Sequence, residues 1–294
     1  MLRVLITGGK GLLAHALTEN APGDVELHSA SHTEFDLQQA SLMADVLDRL
    51  KPQVVINTAA YNAVDRCEQE RELSWAANAR GPELLGKLCE QRAIRLVHYG
   101  TDYVFDGKQE TPYLESHPPN PLNHYAAGKL FGEEAVLKAS PKHLVLRTSW
   151  IFGPHPTQTK TYVHTVLRAA NSGKELKATT DQVSVPTSAP DLAAWTWLFL
   201  ERGATGLFHA VNDEPISRFE WTRSILAEAL ELGLIPRASE VEPVTTSYFN
   251  SAMKRPAYSA MDNRKASKFL GHPLGSWRNG LADMLRLIKA GKSA

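Results

Sequence analysis

Three observations predict an α/β fold: a Rossmann-type, doubly wound parallel sheet with a smaller C-terminal α/β lobe. Short apolar strands alternate with amphipathic helices along the 294 residues, which favours a parallel sheet. The chain opens with a strand that runs into a glycine turn and a helix start, from Val4 to Ala14. After about Trp150 the pattern becomes mixed, which indicates a second, smaller unit.

Each predicted strand is a short apolar run, and each predicted helix has apolar residues on one face. The strands are predicted at Arg3–Thr7, Val25–His28, Val54–Asn57, Arg95–Tyr99, His143–Arg147 and Leu207–Ala210. The helices are predicted at Leu12–Glu19, Ala40–Leu50, Glu70–Gln91, Pro121–Lys138, Leu192–Glu201, Phe219–Leu232 and Ser276–Lys289. Asn120 followed by Pro121 is predicted to start the fourth helix, and residues 244–262 are predicted to be irregular.

Composition excludes several classes of function. The formal net charge is zero and the pI is about 7.2, so neither nucleic acid nor an anionic membrane is expected as the main partner. Cys67 and Cys89 fit no zinc or redox spacing and are expected to be reduced thiols in a cytoplasmic protein. The N-terminal apolar run continues into the glycine turn, so we expect a buried strand and not a signal peptide.

The glycine turn is a candidate phosphate site. Gly8, Gly11 and Ala14 are spaced G-x-x-G-x-x-A, and the turn leads into a helix N-terminus with Leu12 and Leu13. A dinucleotide pyrophosphate binds at such a place. A glycine loop without a ligand is the alternative.

Other residues bear on which dinucleotide is bound. NAD enzymes usually carry a carboxylate at the end of the second strand, where this chain has Ser29, and Lys10 could reach a 2′-phosphate. This favours NADPH, with NADH as the alternative, unless Lys10 is only a solvated loop residue. Asp36 and Leu37 are expected to lie along the edge of the adenine ring. The small side chains of residues 58–60 would leave space for the ribose and pyrophosphate, or would serve tight packing.

Tyr125 and Lys129 are four residues apart, so they lie on one helix face. A phenol beside an ammonium indicates a proton donor with a lowered pKa. Thr101 follows the fourth strand, where a hydroxyl could bind a substrate carbonyl or cap a turn. Asp102 and Tyr103 could contact a polyol, although Tyr103 could equally be packing. Asn78 lies inside a helical pattern, either bonded to backbone or water or exposed.

Together these motifs resemble the extended short-chain dehydrogenases/reductases, and further segments resemble one branch, the dTDP-4-dehydrorhamnose reductases. The segments recur in order over essentially the whole chain. They are residues 57–65, Thr-Asp-Tyr-Val-Phe-Asp-Gly at 101–107, residues 121–125, Arg-Thr-Ser-Trp at 147–150, Asp-Gln-Val-Ser-Val-Pro-Thr at 181–187, and Arg255-Pro256.

The resemblance implies roles for individual residues. Tyr125 would protonate the C4 oxygen of a keto sugar as hydride arrives, Lys129 would lower the tyrosine pKa and bind the nicotinamide ribose, and Thr101 would orient the carbonyl. Trp150 would be a flat wall over the sugar or a core aromatic, and Arg255 would bind the nucleotide diphosphate or form a surface salt bridge. The expected cofactor contacts are Gly8, Lys10, Gly11, Leu12, Leu13, Ser29, Asp36, Leu37, Thr58, Ala59, Ala60, Tyr99, Tyr125 and Lys129. The expected substrate contacts are Thr101, Asp102, Tyr103, Trp150 and Arg255.

The chain departs from the branch at several positions. Tyr-Ala-Ala-Gly-Lys replaces the usual Tyr-Gly-Lys-Thr-Lys, Gly100 replaces a serine, and Ser184 replaces a glycine. Some members hold magnesium between subunits with a glutamate after the glycine turn. This chain has His15 and Ala16 there, so we expect no metal.

Three hypotheses follow. The first is an NADPH-dependent reductase of dTDP-4-dehydro-6-deoxy-L-mannose, and the second is a reductase of another nucleotide-linked 4-keto sugar. The third is a non-catalytic regulatory subunit similar to that of methionine adenosyltransferase.

We expect a cofactor domain over residues 1–150, to which elements at about 190–212 return and add to the sheet. Residues 151–294 would mostly form the substrate lobe. The expected partner is a nucleotide sugar, with a homodimer as the expected assembly.

Overall fold

The computed structural model describes residues 1–157, 161–251 and 253–291. Its strands are β1 (Leu2–Thr7), β2 (Val25–Ala30), β3 (Val54–Asn57), β4 (Arg95–Thr101), β5 (Leu144–Thr148), β6 (Ile151–Phe152), β7 (Leu176–Thr179), β8 (Val183–Ser184), β9 (Thr187–Ser188), β10 (Gly206–His209), β11 (Ile216–Ser217) and β12 (Val241–Val244).

The helices surround these strands and include three short 3₁₀ segments, Val64–Glu68, Asp102–Val104 and Thr246–Phe249. They are α1 (Leu12–Glu19), α2 (Ala40–Leu50), α3 (Arg71–Trp75), α4 (Gly81–Gln91), α5 (His124–Ala139), α6 (Tyr162–Asn171), α7 (Ala189–Glu201), α8 (Arg218–Glu231), α9 (Arg264–Leu270) and α10 (Trp277–Lys289). A π-helical segment, Ala76–Arg80, joins α3 to α4.

A parallel six-stranded sheet forms the centre, in the order β10-β5-β4-β3-β1-β2. The predicted α/β fold with a Rossmann-type parallel sheet is therefore confirmed. The direction of winding changes between β1 and β3, where Thr7 lies beside Asn57. Open α/β sheets bind ligands at this point, outside the carboxyl ends of the strands.

The sheet buries apolar side chains on both faces. Val4 and Ile6 of β1 pack with α1 and α7 on one face, while Leu5 packs with α2 and α4 on the other. This alternation follows from the two-residue period of a strand. A third apolar cluster, which includes Trp221 and Trp277, joins α6, α8 and α10 in the C-terminal part.

Several predicted helices have different boundaries in the structure, and the helix predicted at Leu192–Glu201 begins at Ala189. The helix predicted over Glu70–Gln91 is interrupted by the π segment, where the Asn78 amide bonds both backbone polar groups of Tyr61. Helix α5 begins at His124 because Asn123 caps it, accepting from Ala126 N at 2.8 Å. The predicted cap, Asn120, instead lies in the loop before α5 and donates through its backbone N to Val104 O at 2.8 Å, at the end of the 3₁₀ segment after β4.

Helices α6 and α9 were not predicted, and the segment predicted to be irregular contains the 3₁₀ turn Thr246–Phe249. Within the described ranges, none of the helices combines the length and apolar character needed to cross a membrane.

Candidate active site

The glycine turn after β1 lies against the segment that follows β3. Gly8 has a φ of +69°, and a Cβ there would lie 3.0 Å from the backbone N and Cα of Ala59. Gly11 N closes the turn by donating to Gly8 O at 2.8 Å. Because glycine alone accepts this conformation so close to another backbone, the turn keeps an open cradle at the N-terminus of α1. The cradle fits a pyrophosphate.

A buried polar network supports this edge of the sheet. Asn57 Oδ1 accepts from Thr7 Oγ1 at 2.6 Å, and Asn57 Nδ2 lies 2.9 Å from His98 Nδ1. Thr58 Oγ1 donates to Thr7 O at 2.7 Å, and Ala59 N donates to Asn57 Oδ1 at 3.2 Å. The ends of β1, β3 and β4 are thereby tied together beneath the cleft.

The part of the cleft beside the glycine turn has a volume of about 580 Å³. Its lining includes these predicted cofactor residues: Gly8, Lys10, Gly11, Asp36, Leu37, Thr58, Ala59 and Ala60. His32 also lines it and was not predicted. Ser29 is exposed, and its Oγ lies 2.5 Å from where a Cβ on Gly9 would be, so it packs against the turn.

The cleft continues along the strand ends into a volume of about 340 Å³ that contains the predicted catalytic groups. The predicted residues that line it are Gly11, Leu12, Leu13, Thr58, Ala59, Ala60, Tyr99, Thr101, Asp102, Tyr125, Lys129 and Trp150. Strand β4, helix α5 and the residues after β5 therefore bring together side chains that are far apart in the sequence.

Tyr125 is only 8% exposed, and it lines the same cleft as Thr101. Burial raises the pKa of Tyr125 well above its usual range, and the Asp102 charge raises it further, while the nearby Thr101 hydroxyl acts in the opposite direction. The expected lowering of this pKa is wrong in the structure, because burial and the Asp102 charge raise the pKa of Tyr125. The phenol is therefore held protonated.

Lys129 is directed to the strand and not to the phenol. Its Nζ donates to Tyr99 O at 2.5 Å, and burial lowers the pKa of Lys129 to about 8, opposed by the Glu133 charge. The Tyr99 hydroxyl lies 2.8 Å from Thr196 Oγ1 in the core, so Tyr99 presents its carbonyl group to this lysine. The carbonyl fixes the ammonium at the edge of the cleft.

Asp102 is buried and surrounded by hydroxyl groups. Its oxygens accept from Ser259 at 2.6 Å, Ser184 at 2.9 Å and Thr101 at 3.2 Å. Burial raises the pKa of Asp102. Through these three hydrogen bonds the Asp102 carboxylate holds the surrounding loops together. One of them comes from Ser184, a position at which the chain departs from the related branch.

Gly100, another departure, makes room for a buried ion pair. Arg147 Nη2 lies 2.5 Å from Glu133 Oε1, and both side chains are almost fully buried. A Cβ on residue 100 would lie 2.6 Å from Glu133 Oε2, so a larger residue there would displace the pair. The pair connects α5 to β5 behind the reacting groups.

A further cavity of about 650 Å³ lies beside Tyr103, whose ring centroid is 6.1 Å from that of Tyr125. Its lining is Asp65, Gln69, Tyr103, Tyr162, Lys177, Ala178, Thr179, Gln182, Arg218, Thr246, Phe249, Ser251, Met253 and Arg255. Arg255 lies 2.5 Å from Asp65, which is the salt bridge left open as its alternative role.

Most residues of this further cavity were missed by the sequence analysis. Gln182 lies in a segment that the family resemblance identified, but no role was assigned to it. Tyr162, Lys177, Arg218 and Phe249 belong to no local motif. Only the packing of α6, β7 and α8 brings them together. Among the described residues, no group of three or more His, Cys, Asp or Glu side chains could hold a metal ion.

Comparisons with known proteins agree with this geometry. A family model described as the RmlD substrate binding domain matches residues 2–289. The dTDP-4-dehydrorhamnose reductase of Aggregatibacter actinomycetemcomitans is 31% identical, over 97% of this chain and 98% of that protein. A Streptomyces antibioticus protein named as a probable dTDP-4,6-dihydroxy-2-methyloxan-3-one 4-ketoreductase is 33% identical, over 96% of this chain and 94% of that protein.

A solved structure gives the same result. The dTDP-4-dehydrorhamnose reductase of Bacillus anthracis, crystallised in complex with NADP, superposes with a TM-score of 0.90 at 30% identity, covering 97% of this chain and 99% of that one. With these reductases as full-length relatives, the chain is an NAD(P)H-dependent oxidoreductase, and it belongs to the family of the RmlD substrate binding domain.

Proposed function

We propose that the chain uses NADPH to reduce the C4 keto group of dTDP-4-dehydro-6-deoxy-L-mannose, which gives dTDP-L-rhamnose. The observation that carries the proposal is the arrangement of Tyr125, Thr101 and Lys129 around one cleft at the carboxyl end of the sheet. Several relatives of similar length are named for this reaction, which supports the choice of substrate.

The glycine turn and the strand ends would hold the cofactor. Gly8 and Gly11 would leave the N-terminus of α1 open to the pyrophosphate. Asp36 and Leu37 would lie along the edge of the adenine ring. Lys10 lines the same part of the cleft and would bind the 2′-phosphate, which favours NADPH over NADH. When bound, NADPH supplies the hydride for C4.

Tyr125 would donate its proton to the C4 oxygen. Because its pKa is raised, the phenol is neutral at physiological pH and has a proton to give. The Thr101 hydroxyl, which donates to Asp102 in the structure, would instead donate to the same oxygen as negative charge develops on it. Lys129 would contribute positive charge and bind the nicotinamide ribose. Trp150 and Tyr103 would contact the sugar.

The test follows NADPH absorbance with dTDP-4-keto-6-deoxy-L-mannose, generated in situ from dTDP-glucose by its dehydratase and epimerase. We expect oxidation of NADPH that depends on the epimerase. Oxidation without the epimerase would favour a different 4-keto sugar, a reaction type that the name of the Streptomyces antibioticus relative includes. Absence of turnover despite cofactor binding would contradict the proposal and favour a regulatory role.

Three expectations remain predictions. They are the division into a cofactor domain over residues 1–150 and a substrate lobe over 151–294, a cytoplasmic location, and a homodimer. Sedimentation of the purified chain at several concentrations tests the last of these.

A further inference from the structure

The cavity beside Tyr103 contains three basic side chains. Lys177, Arg218 and Arg255 all line its volume of about 650 Å³. Phe249, a half-exposed aromatic residue, also faces it. A cavity of this size with basic and aromatic groups can hold a nucleoside diphosphate.

Two of the three basic groups are already neutralised. Lys177 Nζ lies 2.5 Å from Glu242 Oε2 and 4.8 Å from the centre of the Tyr248 ring. Arg255 Nη2 lies 2.5 Å from Asp65 Oδ1. An incoming phosphate would have to displace a carboxylate to gain the full charge of either group.

Arg218 is held in a different way. Its Cζ lies 3.4 Å from the centre of the Trp150 ring and 4.5 Å from the centre of the Tyr162 ring. The Tyr162 hydroxyl is itself fixed, 2.6 Å from Thr222 Oγ1. Stacking on aromatic faces fixes the plane of a guanidinium and leaves its N–H groups, which point outward in that plane, available.

No carboxylate pairs with Arg218 in the described ranges 1–157, 161–251 and 253–291, and its side chain makes no hydrogen bond there. Asp102 acts on it electrostatically, but the Asp102 oxygens are already bonded to three hydroxyls. Burial lowers the pKa of Arg218, and the nearby Arg255 charge lowers it further, so the charged guanidinium is disfavoured there. An anion in the cavity would offset that effect.

We propose that Arg218 binds the diphosphate of the nucleotide-sugar substrate, the role first expected of Arg255. The inference rests on the proposed function, because it takes a nucleotide sugar as the substrate. Trp150, on which Arg218 stacks, also lines the cleft that contains Tyr125. A diphosphate on Arg218 would therefore lie next to the sugar, which enters that cleft, and the base would occupy the cavity that Phe249 also lines.

The test compares dTDP with thymidine, since the two differ only in the diphosphate. Calorimetric titration of the NADPH-saturated protein measures both affinities for wild type, Arg218→Gln and Arg218→Lys. The matched control is Arg223→Gln. Arg223 lies on the same helix, is exposed and is paired with Glu220.

We expect Arg218→Gln to weaken dTDP binding about 10- to 100-fold while thymidine binding stays within about twofold, because only charge-assisted bonds to phosphate are lost. Arg218→Lys should weaken dTDP less, since it keeps the charge but loses the stacked planar fork. The Arg223→Gln control should match wild type. Binding of NADPH should be unchanged in all variants.

Equal weakening of dTDP and thymidine, or unchanged dTDP binding in Arg218→Gln, would overturn the proposal and leave Arg218 as a packing residue. The thermal midpoints of the variants show whether each is folded. If wild type binds UDP and not dTDP, the proposed substrate is wrong, and the same comparison with UDP and uridine still decides the role of Arg218. If wild type binds neither diphosphate, both proposals fail.

Discussion

The cleft along the strand ends and the cavity beside it are built from different kinds of contact. The cleft is lined largely by residues at or just after the carboxyl ends of β1, β3, β4 and β5, and helix α5 adds Tyr125 and Lys129. The cavity draws on residues from Asp65 to Arg255 and contains three basic side chains. Under the proposed function, residues near the strand ends would carry out the reaction, while charge assembled over long sequence distances would select the anion that is accepted.

The largest effect is expected from removing the proposed acid. Tyr125→Phe should lower kcat by about 10²- to 10⁴-fold because the C4 oxygen loses its proton donor. Binding of NADPH and dTDP should be unchanged, since neither the cradle nor the cavity is altered. Steady-state kinetics and calorimetry measure both quantities. If kcat stays within a few-fold of wild type, Tyr125 is not the acid.

A second prediction concerns how α5 holds Tyr125 and Lys129 in place. A Cβ on Gly132 would overlap the carbonyl oxygen of Asn78, whereas a Cβ on Gly128 would lie 3.5 Å from Asn78 Cβ, an ordinary contact. Gly132→Ala should therefore lower the free energy of unfolding by about 1–3 kcal/mol. Gly128→Ala, its matched control, should raise it by about 0.5–1 kcal/mol because alanine favours a helix.

Thermal or denaturant unfolding measures the free energy of unfolding of the two variants and tests this prediction. Equal stability of Gly132→Ala and Gly128→Ala would mean that the close approach of α5 to the π segment does not constrain the helix. The two variants also distinguish the cleft from the cavity beside Tyr103. Both should bind dTDP in the cavity as wild type does, whereas only Gly132→Ala should disturb the cleft.

The third prediction is a pH dependence that arises in the cleft and not in the cavity. Burial lowers the pKa of Lys129 to about 8, so its ammonium is charged below that pH and neutral above it. If the charge assists reduction, kcat/KM should be level below about pH 8 and fall about tenfold per unit above it. The raised pKa of Tyr125 keeps the acid protonated over the same range.

Lys129→Arg is the control, because a guanidinium stays charged over this range and should remove the decline even if the overall rate is lower. A kcat/KM that rises between about pH 7 and 9 would contradict the assignment of charge to Lys129.

The same contrast explains what the sequence could and could not predict. The bounds of α1, α2 and β3 agree with the structure because they depend on local turns and apolar periodicity. The start of α5 was misplaced because Asn120 and Asn123 are both good caps, and only a contact with Val104 decides between them.

The electrostatics of the site could be predicted least. Spacing of four residues places Tyr125 and Lys129 on one helix face, but it carries no information about burial, which reverses the expected direction of the Tyr125 pKa. Arg218 belongs to no motif, and its stacking on Trp150 and Tyr162, with no carboxylate paired to it among the residues that the structure describes, follows from contacts that only the folded chain brings together.

The smallest effect is expected at the outer end of the cleft. Lys10 is exposed and lines the part of the cleft beside the glycine turn, where it would meet the 2′-phosphate of NADPH. Lys10→Ala should weaken NADPH by a few-fold, since one exposed charge contributes about 0.2–1 kcal/mol to such a contact. NADH, which lacks the phosphate, should bind as in wild type, and high salt should reduce the difference. Titration of both cofactors measures this, and equal weakening of NADPH and NADH binding would remove Lys10 from 2′-phosphate recognition.

His32 lines the same part of the cleft. If the preference for NADPH survives in Lys10→Ala, the 2′-phosphate is recognised by His32 instead. The variant His32→Ala should then lose the preference.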